Sequence, residues 1–145
     1  MTVLAIGIGG ALGALARYGV DLSVARRTEA LFPWATLAVN VSGSFALGLL
    51  FVLLIEDGTG PDWLRGLLAT GFLGAFTTFS TFSVQTVALA ERGHSALAIG
   101  YIFASVLLGV FAAGAAILAT RISPLFGWVG AGMVAFLAVM ALTRD

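Results

Sequence analysis

Three long stretches of this chain carry no Asp, Glu, Lys or Arg: between Glu29 and Glu56, between Arg65 and Glu91, and between Arg92 and Arg121. A helix needs about 20 predominantly apolar residues to cross the hydrocarbon of a bilayer, and each stretch is long enough. Of the 145 residues 60% are hydrophobic and 10% charged, whereas a soluble domain carries about a quarter charged. Charges that cluster between apolar runs describe a polytopic membrane protein.

Five candidate helices follow from the pattern. The first runs from about Val3 to Ala25 and is closed by Arg26-Arg27. The second runs from about Leu31 to Ile55 and opens on Phe32-Pro33-Trp34, with proline early in the helix and tryptophan at the interface. A loop, Glu56-Asp57-Gly58-Thr59-Gly60-Pro61-Asp62, leads to the third, about Trp63 to Leu89. Glu91-Arg92-Gly93-His94 turns the chain into the fourth, about Ser95 to Thr120. Ser123-Pro124 precedes a short fifth, Leu125 to Leu142. The segments are too long, and alternate too little, for transmembrane strands.

Composition removes several functions. A net charge of zero gives no footprint for nucleic acid. With no cysteine, disulfides and thiolate metal sites are excluded. Met1-Thr2-Val3-Leu4 lacks a basic leader, so the first apolar segment is expected to remain as a helix. No extramembrane domain is expected. One side of the membrane collects Arg26, Arg27, Arg92 and Arg144 and the other Arg65 and Arg121, with Arg17 inside the first segment. So small a bias permits insertion in both directions.

Chemistry concentrates in Gly74-Ala75-Phe76-Thr77-Thr78-Phe79-Ser80-Thr81-Phe82-Ser83, which holds five hydroxyls, three phenylalanines and no formal charge. Hydroxyls supply donors that replace water around an anion, and phenyl rings present a positive edge. In hydrocarbon such polarity is costly unless something polar binds or passes there. Gly71 and Gly74 adjoin β-branched residues of lower helix propensity, and Ser and Thr compete for backbone hydrogen bonds. A break near residues 74 to 77 would free carbonyls at membrane depth, tolerated only where protein, water or an ion satisfies them. A continuous helix with back-bonded hydroxyls is the alternative.

Phe79, Phe82, Ser83 and Thr86 share one helical face, as a pore wall or as ordinary packing. On the second segment Thr36, Asn40 and Ser44 form a polar stripe. Asn40 reads either as an anion donor or as interhelical glue worth about 1 kcal/mol. Tyr101, Ser105 and Gly109 repeat the device on the fourth segment. Gly9 and Gly13 form a GxxxG pair for close helix approach. Arg17 reads as an ion pair with Asp21 or as a vestibule charge that attracts anions. Every carboxylate falls near a helix end or loop, which disfavours a proton-coupled pump. His94 has no catalytic partner, and the glycines of the first segment follow no strand. An enzyme is not expected.

Together these residues resemble the Fluc (CrcB) family of bacterial fluoride channels over residues 5–120. The likeness rests on Gly9-Gly10-Ala11-Leu12-Gly13-Ala14 with Arg17-Tyr18, on Thr36 through Phe45 around Asn40, and above all on Gly71 through Ser83. It implies an all-α protomer of four core transmembrane helices, the third broken, that forms an antiparallel dual-topology homodimer with two pores. Residues 1–121 would be the channel core and residues 122–145 an extra C-terminal hydrophobic helix. The resemblance further implies that Asn40, Phe79 and Phe82 contact fluoride, with Thr36, Ser80, Thr81, Tyr101 and Ser105 as polar lining. A structural sodium ion would be held by the Gly74 and Thr77 carbonyls of both subunits. The implied activity is passive fluoride export across the cytoplasmic (inner) membrane, giving fluoride resistance.

Two features depart from the family: Gln85 stands where the family often has glutamate, and the fifth segment is additional. The rival readings are a small multidrug-type dual-topology transporter and a non-transporting assembly subunit. The former needs a buried carboxylate in the first helix that this chain lacks, and the latter uses the polar stripes as glue.

Overall fold

The computed structural model describes residues 1–27, 30–56 and 60–122, so the expected fifth helix, Leu125 to Leu142, lies outside the described residues. Four helical spans within them are long and apolar enough to cross a membrane: Thr2–Ala25, Trp34–Glu56, Asp62–Glu91 and Ser95–Ile122. Inside hydrocarbon a helix satisfies its own backbone, which a loop cannot do. We label Thr2–Ala25 α1 and Trp34–Leu50 α2, the latter continued by π-helical turns over Phe51–Glu56. The third span is two helices. α3 covers residues 62–76, α-helical over Asp62–Arg65 and Gly74–Phe76 with wider π turns over Gly66–Leu73 between them. α4 is Phe79–Glu91, and α5 is Ser95–Ile122.

The segment ends agree with the sequence reading to within three residues, with one correction at α2. Pro33 is not inside the helix. It is the N-cap, with ψ 66°, and its carbonyl accepts the Leu37 amide at 3.1 Å. Its ring needs no helical hydrogen bond in either place, so propensity alone does not separate the two positions. The turn after α4 is built by Gly93, whose φ of +83° suits a residue without a Cβ. The His94 amide reaches the Leu89 carbonyl at 2.9 Å and the Gly93 amide the Ala90 carbonyl at 3.0 Å. These two bonds form a Schellman motif, which satisfies the end of α4 and starts α5 at once. His94 itself is exposed.

Glycine sets how the helices meet. A Cβ placed on Gly9 would fall on the Leu67 carbonyl, and one on Gly13 on the Phe72 carbonyl. From the other side, a Cβ on Gly71 would lie 2.6 Å from the Ile6 carbonyl oxygen. α1 and α3 therefore touch backbone to backbone, as the GxxxG spacing implies. α2 meets α5 in the same manner: a Cβ on Gly48 would lie 2.6 Å from the Ala113 carbonyl oxygen. Where α2, α4 and α5 converge, Leu37, Phe82, Leu89, Ala98 and Tyr101 form a buried cluster. The outer faces are apolar too, with Leu107 63%, Val110 69% and Phe111 74% exposed. Contiguous exposed hydrocarbon of this kind is unstable in water and suited to lipid. The chain is a multi-pass membrane protein.

Gly13→Ala is expected to lower stability by about 3 kcal/mol, since its methyl meets fixed backbone. Gly7→Ala, with nothing within 4 Å, is expected to change it by less than about 1 kcal/mol. Thermal melts of the detergent-purified variants check the contrast, and equal melting points would contradict the interlock.

Candidate functional site

The break lies at Thr77 and Thr78, beginning at the last residue of the expected window and extending one residue past it, and both are extended (φ −78°, ψ 157° and φ −151°, ψ 113°). Thr77 ends α3 by directing its amide and its hydroxyl to the Leu73 carbonyl, at 3.0 and 2.9 Å. Thr78 begins α4 as its N-cap, its Oγ1 accepting the Thr81 amide at 3.2 Å. A β-branched residue with a short hydroxyl serves both tasks, because it disfavours continued helix and supplies the cap.

Asn40 on α2 holds the interruption in place. Its Oδ1 accepts the Thr78 amide at 2.8 Å, and its Nδ2 donates to the Thr78 carbonyl at 3.1 Å. One side-chain amide thus pairs with both backbone groups of one residue, as a neighbouring strand would. The second Nδ2 proton remains for another acceptor. Gly43, one turn along α2, brings that helix against the break: a Cβ there would overlap Thr77 Cγ2 and lie 3.3 Å from Phe76 Cδ1.

Arg17 departs from its expected pairing. Among the described residues it forms no ion pair with Asp21; its Nε donates instead to the Ala75 carbonyl, at 3.2 Å. A cation at a helix C-terminus faces the negative end of the dipole and caps an open carbonyl. At membrane depth that partner outweighs a carboxylate nearer the interface.

The same rearrangement exposes two other carbonyls. In an unbroken helix the Thr78 amide would bond to Gly74 and the Thr81 amide to Thr77. Both amides are engaged elsewhere, by Asn40 and by the Thr78 hydroxyl. The carbonyls of Gly74 and Thr77 therefore lack their helical donors. No group of three or more His, Cys, Asp or Glu that could hold a metal occurs among the described residues.

A cavity of about 320 Å³ adjoins the break. Asn40, Gly74, Thr77, Phe79, Phe82 and Ser105 all border it. Ser105 Oγ is buried and forms no well-aligned hydrogen bond among the described residues, but it lies near the Tyr101 hydroxyl, as Thr36 does. Thr36, Ser80, Thr81 and Tyr101 do not border the cavity. Thr36 is 2% exposed in the α2 interior; Ser80 is on the outer surface of α4, and Thr81 is partly buried.

Tyr101 is fully buried and stands beyond Phe82, with ring centroids 5.1 Å apart. Phe82 meets Phe79 at 5.6 Å, and Tyr101 meets Phe32 edge-on at 5.3 Å. The Tyr101 hydroxyl donates to Gln85 Oε1 at 3.0 Å. The two phenylalanines differ sharply: Phe82 is 8% exposed and Phe79 79%. Helical spacing placed them on a shared face but could not show that only one is covered within the chain.

Three contributors were not singled out from sequence: Thr78 as the clamped residue, Phe32 against Tyr101, and the bond from Arg17 to the break. Thr78 carried a signal, a cap residue three positions before Thr81. The other two join residues distant along the chain.

The family described as CrcB-like protein, Camphor Resistance (CrcB), matches residues 4–117. The fluoride-specific ion channel FluC of Saccharophagus degradans is 48% identical over 119 residues, 81% of this chain and 88% of that protein. The protein of the same name from Hahella chejuensis is 46% identical over 117 residues, 81% of this chain and 92% of its own length. That from Paracoccus denitrificans is 48% identical over 111 residues, 77% of this chain and 87% of its own.

Asn40→Leu leaves the Thr78 amide and carbonyl unpaired and is expected to cost about 3 kcal/mol. Ser42→Ala, which removes a hydroxyl bonded within its own helix, is expected to cost no more than about 0.5 kcal/mol. Melting in detergent reads both, and an Asn40→Leu protein as stable as the parent would mean that the clamp does not hold the break.

Proposed function

This chain belongs to the CrcB-like family, and from that premise we propose that it is a fluoride-selective channel, not an enzyme, which exports the anion passively across the bacterial inner membrane and confers fluoride resistance. The observation that carries the reading is the cavity at the helix break, bordered by Asn40, Phe79, Phe82 and Ser105. Fluoride is small and strongly hydrated, so its path must replace water without holding the ion fast. The free Nδ2 proton of Asn40 and the Ser105 hydroxyl supply donors, and phenyl edges supply weak positive potential. No charged side chain among the described residues borders the cavity, which suits release as much as binding. Phe79, Phe82 and Asn40 are assigned to the fluoride path, with Thr36, Ser80, Thr81, Tyr101 and Ser105 as its polar lining. Arg17 lends positive charge at the vestibule.

The working unit in this reading is an antiparallel homodimer of dual topology. Phe79 and Val84, 79% and 70% exposed on α4, gain cover from a second copy, and Gly74 is exposed beside them. Two-fold symmetry would bring four carbonyls, those of Gly74 and Thr77 from each protomer, around one point. Uncharged oxygens suit a hard monovalent cation, so the donor set fits the structural sodium ion. Such an ion would supply a fixed positive charge between the protomers. The chain's own part is to keep those carbonyls free, through the Asn40 and Thr78 bonds that divert their amides.

Liposomes carrying the protein are expected to release fluoride and to retain chloride, as read by ion-selective electrodes. Phe82→Ile is expected to slow fluoride release at least 10-fold and, because Phe82 belongs to the buried cluster, to lower the melting temperature by a few degrees while the variant stays folded. Equal passage of chloride, or undiminished flux in Phe82→Ile, would defeat the assignment. Replacing sodium by N-methylglucamine throughout purification is expected to lower the melting temperature. An unchanged melt would remove the cation from the proposal.

A further inference from the structure

Six hydroxyls among the described residues are committed to the backbone of their own helix. Ser23, Ser42, Thr77, Ser83, Thr86 and Thr120 each donate to the carbonyl four residues earlier, at 2.6 to 2.9 Å. A hydroxyl bound in that way has no proton left for an anion. At the start of α4 the pattern changes. Thr78 Oγ1 donates to Thr81 Oγ1 at 3.0 Å and lies 3.2 Å from Ser80 Oγ. Thr78 has one hydroxyl proton, and Thr81 receives it. The Ser80 contact must then run from Ser80 to Thr78. Thr81 accepts a proton and finds no acceptor for its own among the described residues, although Ser83 and Thr86 on the same helix do.

We propose that Thr78 is a positioning residue that relays polarity from Ser80 to Thr81 and so keeps the Thr81 proton free for the permeating anion. Hydroxyls in series polarise one another, so the last donor is stronger than an isolated one. A hydrogen bond from such a donor to an ionised acceptor is also the stronger kind. Asn40 fixes the starting point, because it holds the Thr78 backbone at both its amide and its carbonyl. Thr81 lies beyond the cavity, one helical turn before Gln85 on the same face, and Gln85 is the residue that Tyr101 meets. The relay thus adds a donor between the cavity and the Gln85–Tyr101 pair. This inference rests on the proposed fluoride pathway.

The test uses initial fluoride efflux from liposomes, normalised to reconstituted protein, with a melt for each variant. Thr78→Val removes both relay and cap and is expected to lower the rate roughly 10-fold. Thr78→Ser restores the hydroxyl and is expected to restore the rate. Thr78→Asn keeps a capping oxygen but no hydroxyl, and is expected to melt like the parent yet remain slow. Combining Thr78→Asn with Thr81→Val is expected to be no slower than Thr81→Val alone. Parental flux in Thr78→Asn, or losses that multiply in the double variant, would overturn the relay. A parent protein that passes no fluoride would remove the functional reading itself, and the relay with it.

Discussion

An interrupted helix inside a bilayer must find partners for backbone groups that its own turns no longer satisfy. In this protein α2 provides two of them through a single side chain. Asn40 closes two hydrogen bonds on Thr78, Arg17 takes the Ala75 carbonyl, and Thr77 folds its hydroxyl back onto Leu73. Among the groups left without their helical donors are the Gly74 and Thr77 carbonyls, on residues that border a cavity with no charged side chain among its described lining residues. The rest of the fold serves this arrangement. Glycine contacts bring α1 against α3 and α2 against the break closely enough for Arg17 and Asn40 to reach it.

The polar groups divide into those that build the interruption and those left available beside it. Asn40 belongs to both classes, since its amide carries two protons and the clamp uses one. That duality explains why glue and ligand were equally good readings from sequence. It also means that a loss of transport in an Asn40 variant would not by itself identify an anion contact. Ser105 carries less structural duty, because its oxygen forms no well-aligned bond among the described residues although it lies near the Tyr101 hydroxyl. Tyr101 is the reverse, with its proton given to Gln85.

Much of the fold was legible because membrane helices follow from apolar run length, and charge-free runs bounded by arginines and loops mark their ends. The break could be anticipated from Gly74 and the Thr77-Thr78 pair, since local propensity operates there. The partners that stabilise it could not. Arg17 looked paired with Asp21 because spacing of four on a helix is the nearest relation a sequence displays, whereas the Ala75 carbonyl is 58 residues away along the chain. Phe79 and Phe82 stood on one stripe, yet whether a ring is covered depends on what packs over it. The π turns of α2 and α3 also went unseen, because the register of a hydrogen-bond ladder is set by packing more than by composition. The likeness to the Fluc (CrcB) family carried the reading of site residues further than periodicity could.

The glycine interlock between α1 and α3 has a mechanical corollary. Two helices locked backbone to backbone behave as one stiff slab, and α4 is tied to a second slab through Phe82 against Tyr101. The Thr77–Thr78 segment is the covalent joint between the slabs, and Asn40 pins it from the side. Any relative tilt of the two would be concentrated on those four backbone torsions and on the pin, while the helices themselves stayed rigid.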